Sequence, residues 1–469
     1  MRHAVCVVLF LLTLLQAPVV AQEQVTLTIG QAIDFALTHN PGIAQSEKEL
    51  SKARAGVGEA FSILLPHIEG YASLQHMWQI QTSRIPNFLK PMLAPLGPVL
   101  PGIDQMPDFV DLAFGLENTL RYGATLTQPL FLGGAGLAAV SIAKATRNAA
   151  EQNFQARKQQ LIFETALAFY SCLLAEDLLG VQENALTQAR ANLDVVNKRY
   201  GVGTASPFDR MRAEVEVANL EPEVITARNN HKVALTQMRR VLGLGDYAEF
   251  IPEGAFRYVE DTFDQAALRS LQELALAGRP EMSMVDEQKK ISQGGVVVTR
   301  SNFLPKVVFQ TDYSFLAMRD DLRFQSGDFS KGFSSAISMQ FPLFSGFASL
   351  RQHEKAQLDL RMMLDVRKQV ADAILAEVEV SFNKFREGRE KYHSARRTVD
   401  LATEALRLAS LLYEEGANTQ LDVLNSHLSL TRARLNYANI LFEYEVARYQ
   451  LRKATGTLTG ALEGKKETP

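Results

Sequence analysis

Gln128-Pro129-Leu130-Phe131-Leu132-Gly133 and Phe341-Pro342-Leu343-Phe344-Ser345-Gly346 carry the same Pro-Leu-Phe-x-Gly phrase, 213 positions apart. The same offset places Phe169 on Phe382, Leu193 on Leu406, Tyr200 on Tyr413, Gly203 on Gly416, Asp209 on Asp422 and Gly243 on Gly456, with no gap. Upstream the offset becomes 239, matching Ala36-Leu37 with Ala275-Leu276, Pro41 with Pro280, and Leu65-Pro66 with Leu304-Pro305; the first copy therefore holds 26 extra residues. Similarity at a fixed offset over this length marks two copies of one structural unit. Length alone, 469 residues, would have argued for roughly three separate domains. The expected organisation is a first repeat over 22–243, a linker over 244–264, a second repeat over 265–456 and a tail over 457–469.

Each copy reads helix, strand, strand, long helix, return helix. After Pro66, Ile68, Gly70, Ala72, Leu74 and Trp78 alternate with His67, Glu69, Tyr71, Ser73 and Gln75, and Leu120, Tyr122, Ala124 and Leu126 alternate with Thr119, Arg121, Thr125 and Thr127. Val307, Phe309, Tyr313 and Phe315, then Phe333, Ile337, Met339 and Phe341, repeat the pattern in the second copy. A period of two predicts strands at about 67–78, 116–131, 306–316 and 333–341. Taken alone, the alternation suits a soluble sheet as well as a membrane barrel. The connection between the first two strands is proline-rich and that between the last two is polar and charged; both read as loops.

No proline interrupts 137–200 or 350–413, and Phe385, Tyr392, Val399, Leu406 and Tyr413 recur every seven residues, as do Leu179, Leu186, Leu193 and Tyr200. That is coiled-coil spacing, over helices of roughly 96 Å at 1.5 Å per residue. Both long helices run into a turn, Tyr200-Gly201-Val202-Gly203-Thr204-Ala205-Ser206-Pro207-Phe208-Asp209 and Tyr413-Glu414-Glu415-Gly416-Ala417-Asn418-Thr419-Gln420-Leu421-Asp422. Gly203 and Gly416 suit the left-handed residue that ends a helix, and Ser206 before Pro207 suits the cap of the next one. Leu421, Leu428, Leu435, Phe442 and Tyr449 predict the seam along which the second return helix packs antiparallel; Pro222 predicts a kink in the first.

Lys plus Arg is 49 against 52 for Asp plus Glu, a formal charge of −3, which supplies no basic field for nucleic acid. Residues 1–21 have the build of a secretory signal: Arg2 and His3, an apolar stretch from Ala4 to Leu15, and Val19-Val20-Ala21. About 12 apolar residues are too few to cross a hydrocarbon core, which needs about 20. Cleavage would leave Cys172 as the sole thiol, read as a small buried hydrophobe. Four strands per chain are too few to close a barrel, since about eight are needed and an open edge is not tolerated in lipid. Chains in a membrane would have to pool their strands.

The duplicated unit, the Leu-Pro entry to the first strand, the Pro-Leu-Phe exit from the second and the Tyr-x-x-Gly turn followed by Asp resemble the TolC family of outer-membrane channel proteins, over about Thr26 to Gly456. The resemblance implies a mixed α and β membrane protein with an internal two-fold repeat. Its homotrimer would form a 12-stranded outer-membrane β-barrel, four strands per chain, continued by a long antiparallel coiled-coil tunnel in the periplasm. It implies a passive conduit for efflux or type I secretion, without catalytic, cofactor or metal site, docking to a periplasmic adaptor and an inner-membrane pump. Docking would fall on the turn residues Tyr200, Gly203, Thr204 and Ser206, and Gly416, Ala417 and Thr419.

In that family a tyrosine and an arginine of the second turn hold the tunnel tip closed against the first, and two acidic rings line it. Tyr413 matches the tyrosine, Asp209 the first-turn aspartate and Asp422 one ring; Asn418 stands where the arginine would be, and Asn425 where the other ring would be. A neutral bond has about half the strength of a charge-assisted one, so the resemblance implies a weaker latch here. Asp209 and Asp422 equally suit plain helix caps.

Among the eight histidines no H-E-x-x-H occurs, and there is no G-x-S-x-G or P-loop lysine motif. Gly134-Ala135-Gly136-Leu137-Ala138-Ala139 fits G-x-G-x-x-A, yet the helix it opens is far longer than a dinucleotide-binding crossover. The rival from another class is a secreted or periplasmic coiled-coil scaffold without channel activity. The substrate, whether drug, metal or protein, is not legible.

Overall fold

The computed structural model describes residues 24–458 except 97, 98, 100, 101, 103, 104, 114, 245–248 and 257. The expected signal sequence and most of the expected tail lie outside the described residues. The chain forms two compact units, one of Arg54–Ala145 with Lys290–Arg361, the other of the described residues through Ala53, Thr146–Lys289 and those from Met362.

In the first unit β2 (His67–His76), β5 (Asn118–Phe131), β7 (Lys306–Arg319) and β8 (Ser330–Gln340) make one antiparallel sheet in that order, so the two copies meet at the central β5–β7 pair. The register sorts most of the side chains by polarity, with Thr311 and Ser335 as polar exceptions on the apolar face and Val308 and Leu316 as apolar ones on the polar face. Ile68, Leu126, Tyr122, Phe315, Tyr313, Phe333 and Ile337 share one face, and Glu69, Tyr71, Thr125, Asp312 and Ser334 share the other.

Across the polar face Tyr71 Oη and Thr125 Oγ1 each donate to Asp312 Oδ2 at 2.9 Å, and Arg121 lies 3.6 Å from Asp312 Oδ1 with its guanidinium over the Tyr71 ring. Gly123, opposite Tyr71 in the register, lets the phenol cross the sheet. A Cβ there would stand 2.5 Å from Tyr313 O and 3.0 Å from Tyr71 Oη.

Strand ends differ from expectation by two or three residues, and Trp78 lies beyond β2, 94% exposed. The proline-rich connection is not a plain loop. It folds into a hairpin of β3 (Thr82–Pro86) and β4 (Phe109–Ala113) around the short helix α3 (Leu89–Leu93). Asn87 ties its two arms together, donating from Nδ2 to Pro107 O and from its backbone N–H to Asp108 O.

Most of the helical residues belong to the second unit. α1 (Ile29–His39) and α2 (Pro41–Ser62) have the lengths of α6 (Leu268–Gly278) and α7 (Pro280–Ser301), 11 and 22 residues, at an offset of 239. α4 (Ala135–Gly201) and α8 (Ala348–Glu414) are 67 residues each at an offset of 213. Their return helices are α5 (Pro207–Leu242), continuous through Pro222, and α9 (Gln420–Ala454).

Antiparallel packing shows in the contacts. Arg190 pairs with Glu221 and Glu183 with Arg228; Phe385 packs on Tyr444 and Tyr392 on Tyr437, seven residues forward on one helix matching seven back on the other. The seam of α9 against α8 is therefore not the expected one. Leu421 and Leu428 are 43% and 41% exposed, whereas Val423, Leu430, Tyr444 and Leu451 are buried. Leu435, Phe442 and Tyr449 form a second stripe, and Tyr449 with Phe442 packs into the cluster of Ile162, Phe169, Tyr170 and Met238. A helix packed on two sides carries two apolar stripes, and sequence spacing alone does not say which faces which neighbour. Burying each such aromatic contributes roughly 1.5–3 kcal/mol.

The linker is not structureless either. β6 (Glu249–Pro252) pairs in parallel with β1 (Gln24–Leu27). Beyond it Tyr258 stacks on Tyr392 at 4.3 Å, Tyr444 Oη donates to Val259 O at 2.8 Å, and Arg452 holds Asp261 at 2.7 Å. Cys172 is fully buried, and burial pushes its thiol up to about 12.

Candidate functional site

The two interhelical turns close by the same local chemistry. At the end of α4, Gly203 adopts φ 79° and its amide donates to Tyr200 O, while Thr204 donates from both N and Oγ1 to Arg199 O. At the end of α8, Gly416 adopts φ 75°, its amide donates to Tyr413 O, and the amides of Ala417 and Asn418 both reach Leu412 O. Only glycine takes these angles without a Cβ penalty.

Each return helix then starts on a capping box. Ser206 Oγ accepts from Asp209 N at 3.1 Å while Asp209 Oδ2 accepts from Ser206 N and Oγ; Thr419 Oγ1 accepts from Asp422 N at 3.3 Å while Asp422 Oδ2 accepts from Thr419 N and Oγ1. The Thr419 hydroxyl and amide hold the Asp422 carboxyl below its ordinary range. In this conformation both aspartates thus act as caps.

Of the other residues singled out, Asn425 is exposed one turn into α9, its carbonyl accepting from Ser429, and Tyr200 carries the guanidinium of Arg210 over its ring at 5.5 Å. The structure does not bring Tyr413 to Asp209; it brings Tyr413 to Arg199. That guanidinium lies 4.3 Å from the Tyr413 ring centroid, and both terminal nitrogens face Tyr413 O at 3.4 and 3.5 Å. Sequence reasoning missed Arg199, whose only signal is its place beside Tyr200 in the last turn of α4. It also passed over Val202, Phe208 and Met211, 76%, 60% and 55% exposed around the first turn.

The model of the outer membrane efflux protein family matches residues 32–244 and 271–457, one stretch in each copy. The chain belongs to that family. It is 24% identical over 317 residues to the outer membrane protein TolC of Escherichia coli, covering 65% of this chain and 63% of that relative, so the match spans just under two thirds of TolC. It is 23% identical over 335 residues to the cobalt-zinc-cadmium resistance protein CzcC of Cupriavidus metallidurans, covering 69% and 74%. Among solved structures, the outer membrane protein VceC of Vibrio cholerae superposes with a TM-score of 0.72 at 19% identity, over 91% of this chain and 96% of that one. The protein is thus an outer-membrane protein of TolC-like fold, rich in helix and mixed α and β; no helix among the described residues is long and apolar enough to cross a membrane.

Proposed function

We propose that the protein is one third of a passive outer-membrane channel for efflux or type I secretion. The observation that carries this reading is the sheet. It has one apolar and one polar face, and its edge strands β2 and β8 have no further strand beside them among the described residues. In lipid an open edge leaves several backbone groups unsatisfied, each costing kilocalories. Pairing β8 of one copy with β2 of the next satisfies them, and three copies give a closed barrel with the apolar face to lipid and the polar face to the lumen.

The helical unit supplies the tunnel and its turns the gate, where Tyr413, Asp209, Asn418, Asp422 and Asn425 face the narrowing. The turn residues Tyr200, Gly203, Thr204 and Ser206, and Gly416, Ala417 and Thr419, with the exposed Val202, Phe208 and Met211 beside them, meet a periplasmic adaptor serving an inner-membrane pump. The pump, not this chain, selects the cargo. Family membership favours this reading over a secreted scaffold. Purification in mild detergent tests it: the expected product is a trimer that inserts into planar bilayers as a single conducting unit. A monomer, or a product that stays dissolved without detergent, overturns it.

A further inference from the structure

The duplication allows one half of the molecule to be compared with the other. In the second copy Arg279, at the bend between α6 and α7, is 5% exposed; its Nε and Nη2 donate to Glu281 at 3.1 and 2.9 Å, and its Nη1 donates to Glu377 on α8. The offsets that align the helices place Asn40, Gly42 and Glu164 at these three positions in the first copy. The arginine is therefore missing there, while the carboxylate from the long helix is kept.

Asn40 does not replace it. Its Nδ2 donates away, to Val241 O at 2.7 Å, and its Oδ1 accepts from Gly42 N. What remains is a crevice of about 250 Å³ between the bend and α4, lined by Asn40, Gly42, Glu49, Arg157, Gln160 and Glu164. Lys453 donates to Gln160 Oε1, and Gln160 Nε2 donates to Glu164 Oε1 at 2.7 Å, which steadies the carboxylate at the crevice wall. A carboxylate offers about four acceptor sites. Arg157 is seven residues earlier, about 10 Å along the helix axis, and the Lys453 ammonium is spent on Gln160 Oε1, so neither cation is given a bond to Glu164.

We propose that this crevice receives an arginine side chain presented by a partner protein, which takes in the first copy the place that Arg279 fills from within in the second. Planar guanidinium is the group that the equivalent carboxylate binds in this same fold, and it matches carboxylate geometry better than ammonium does. The inference does not depend on the channel reading.

The test titrates the full-length protein in detergent with the peptide acetyl-Gly-Arg-Gly-amide and with its citrulline counterpart, which has the same shape and no charge. The expected result is saturable binding of the arginine peptide only. Glu164→Gln should weaken it by about tenfold, the factor that one charge-assisted hydrogen bond carries. Asn40→Arg with Gly42→Glu, which transplants the second-copy set, should abolish binding and raise the thermal midpoint. Equal binding of the citrulline peptide, undiminished affinity in Glu164→Gln, or binding retained in a folded transplant would overturn the proposal.

Discussion

Arg199, in the last turn of the first long helix, lies over the ring of Tyr413, in the last turn of the second, 4.3 Å from its centroid. The cation that joins the two helical pairs at this end thus comes from the first copy, whereas Asn418 of the second turn donates its backbone N–H to Leu412 O within its own turn. A cation over an aromatic face at a site open to solvent contributes about 0.5–1 kcal/mol.

If the turns are the gate of a channel, Arg199→Ala shifts the balance toward the open form by roughly two- to fivefold, and Arg199→Lys by less, since lysine keeps the charge but not the planar stack. Single-channel recordings in planar bilayers check this. Conductance and open probability identical to the parent in Arg199→Ala would remove Arg199 from the latch.

The capping box at Asp422 sets a pH dependence. Its carboxyl is held below the ordinary range by the Thr419 hydroxyl and amide. A depressed carboxylate contributes stability that is complete above its unfolded value and is lost as pH falls through the folded one. Protection of the amides at 420–423, taken relative to the intrinsic exchange rate at each pH, is therefore expected to stay constant from pH 7 to 5 and to fall only below the ordinary carboxylate range near 4. In bilayers, Asp422→Ala is expected to reduce preference for cations, as a ring of three carboxylates at the narrowing requires; unchanged reversal potentials would sink the ring.

Gly123→Ala places a methyl group 2.5 Å from Tyr313 O and 3.0 Å from Tyr71 Oη. Because the closest atoms are backbone of the neighbouring strand, the strand pair must spread, and the Tyr71 hydroxyl must give way as well, at about 1–3 kcal/mol. The thermal midpoint of the detergent-purified protein should fall, and Tyr71→Phe added to Gly123→Ala should cost less than the two separate losses combined.

Arg279→Ala leaves Glu281 and Glu377 facing each other without their shared cation. Removing one partner of a buried ion pair costs about 3–5 kcal/mol; with both carboxylates 37% exposed, the lower end is expected. Chemical denaturation checks it, and Glu377→Gln in the same chain should recover part of the loss.

Much of the helical half was readable beforehand because its signals are local. Glycine at a helix end, Ser206 before Pro207 and Thr419 before Asp422 act within one turn of chain, and the long proline-free runs leave no other element to form. The strand faces followed from a period of two. The parallel pairing of Gln24–Leu27 with Glu249–Pro252 was not readable, since two four-residue strands more than 200 positions apart leave no periodic trace. The hairpin beyond β2 was hidden because six prolines and few alternating residues look like loop until Asn87 ties the segment together.

The sequence by itself determined the duplication, the helix and strand periods and the chemistry of the turns, because each depends on neighbours a few residues away. Only the tertiary structure decided that β5 meets β7, that Val423, Leu430 and Leu451 rather than Leu421 and Leu428 are buried in α9, and that Arg199 rather than Asp209 reaches Tyr413. Those choices depend on how segments from tens to more than two hundred residues apart are brought together, and a helix with two apolar stripes or an arginine at a helix end suits several partners until packing selects one.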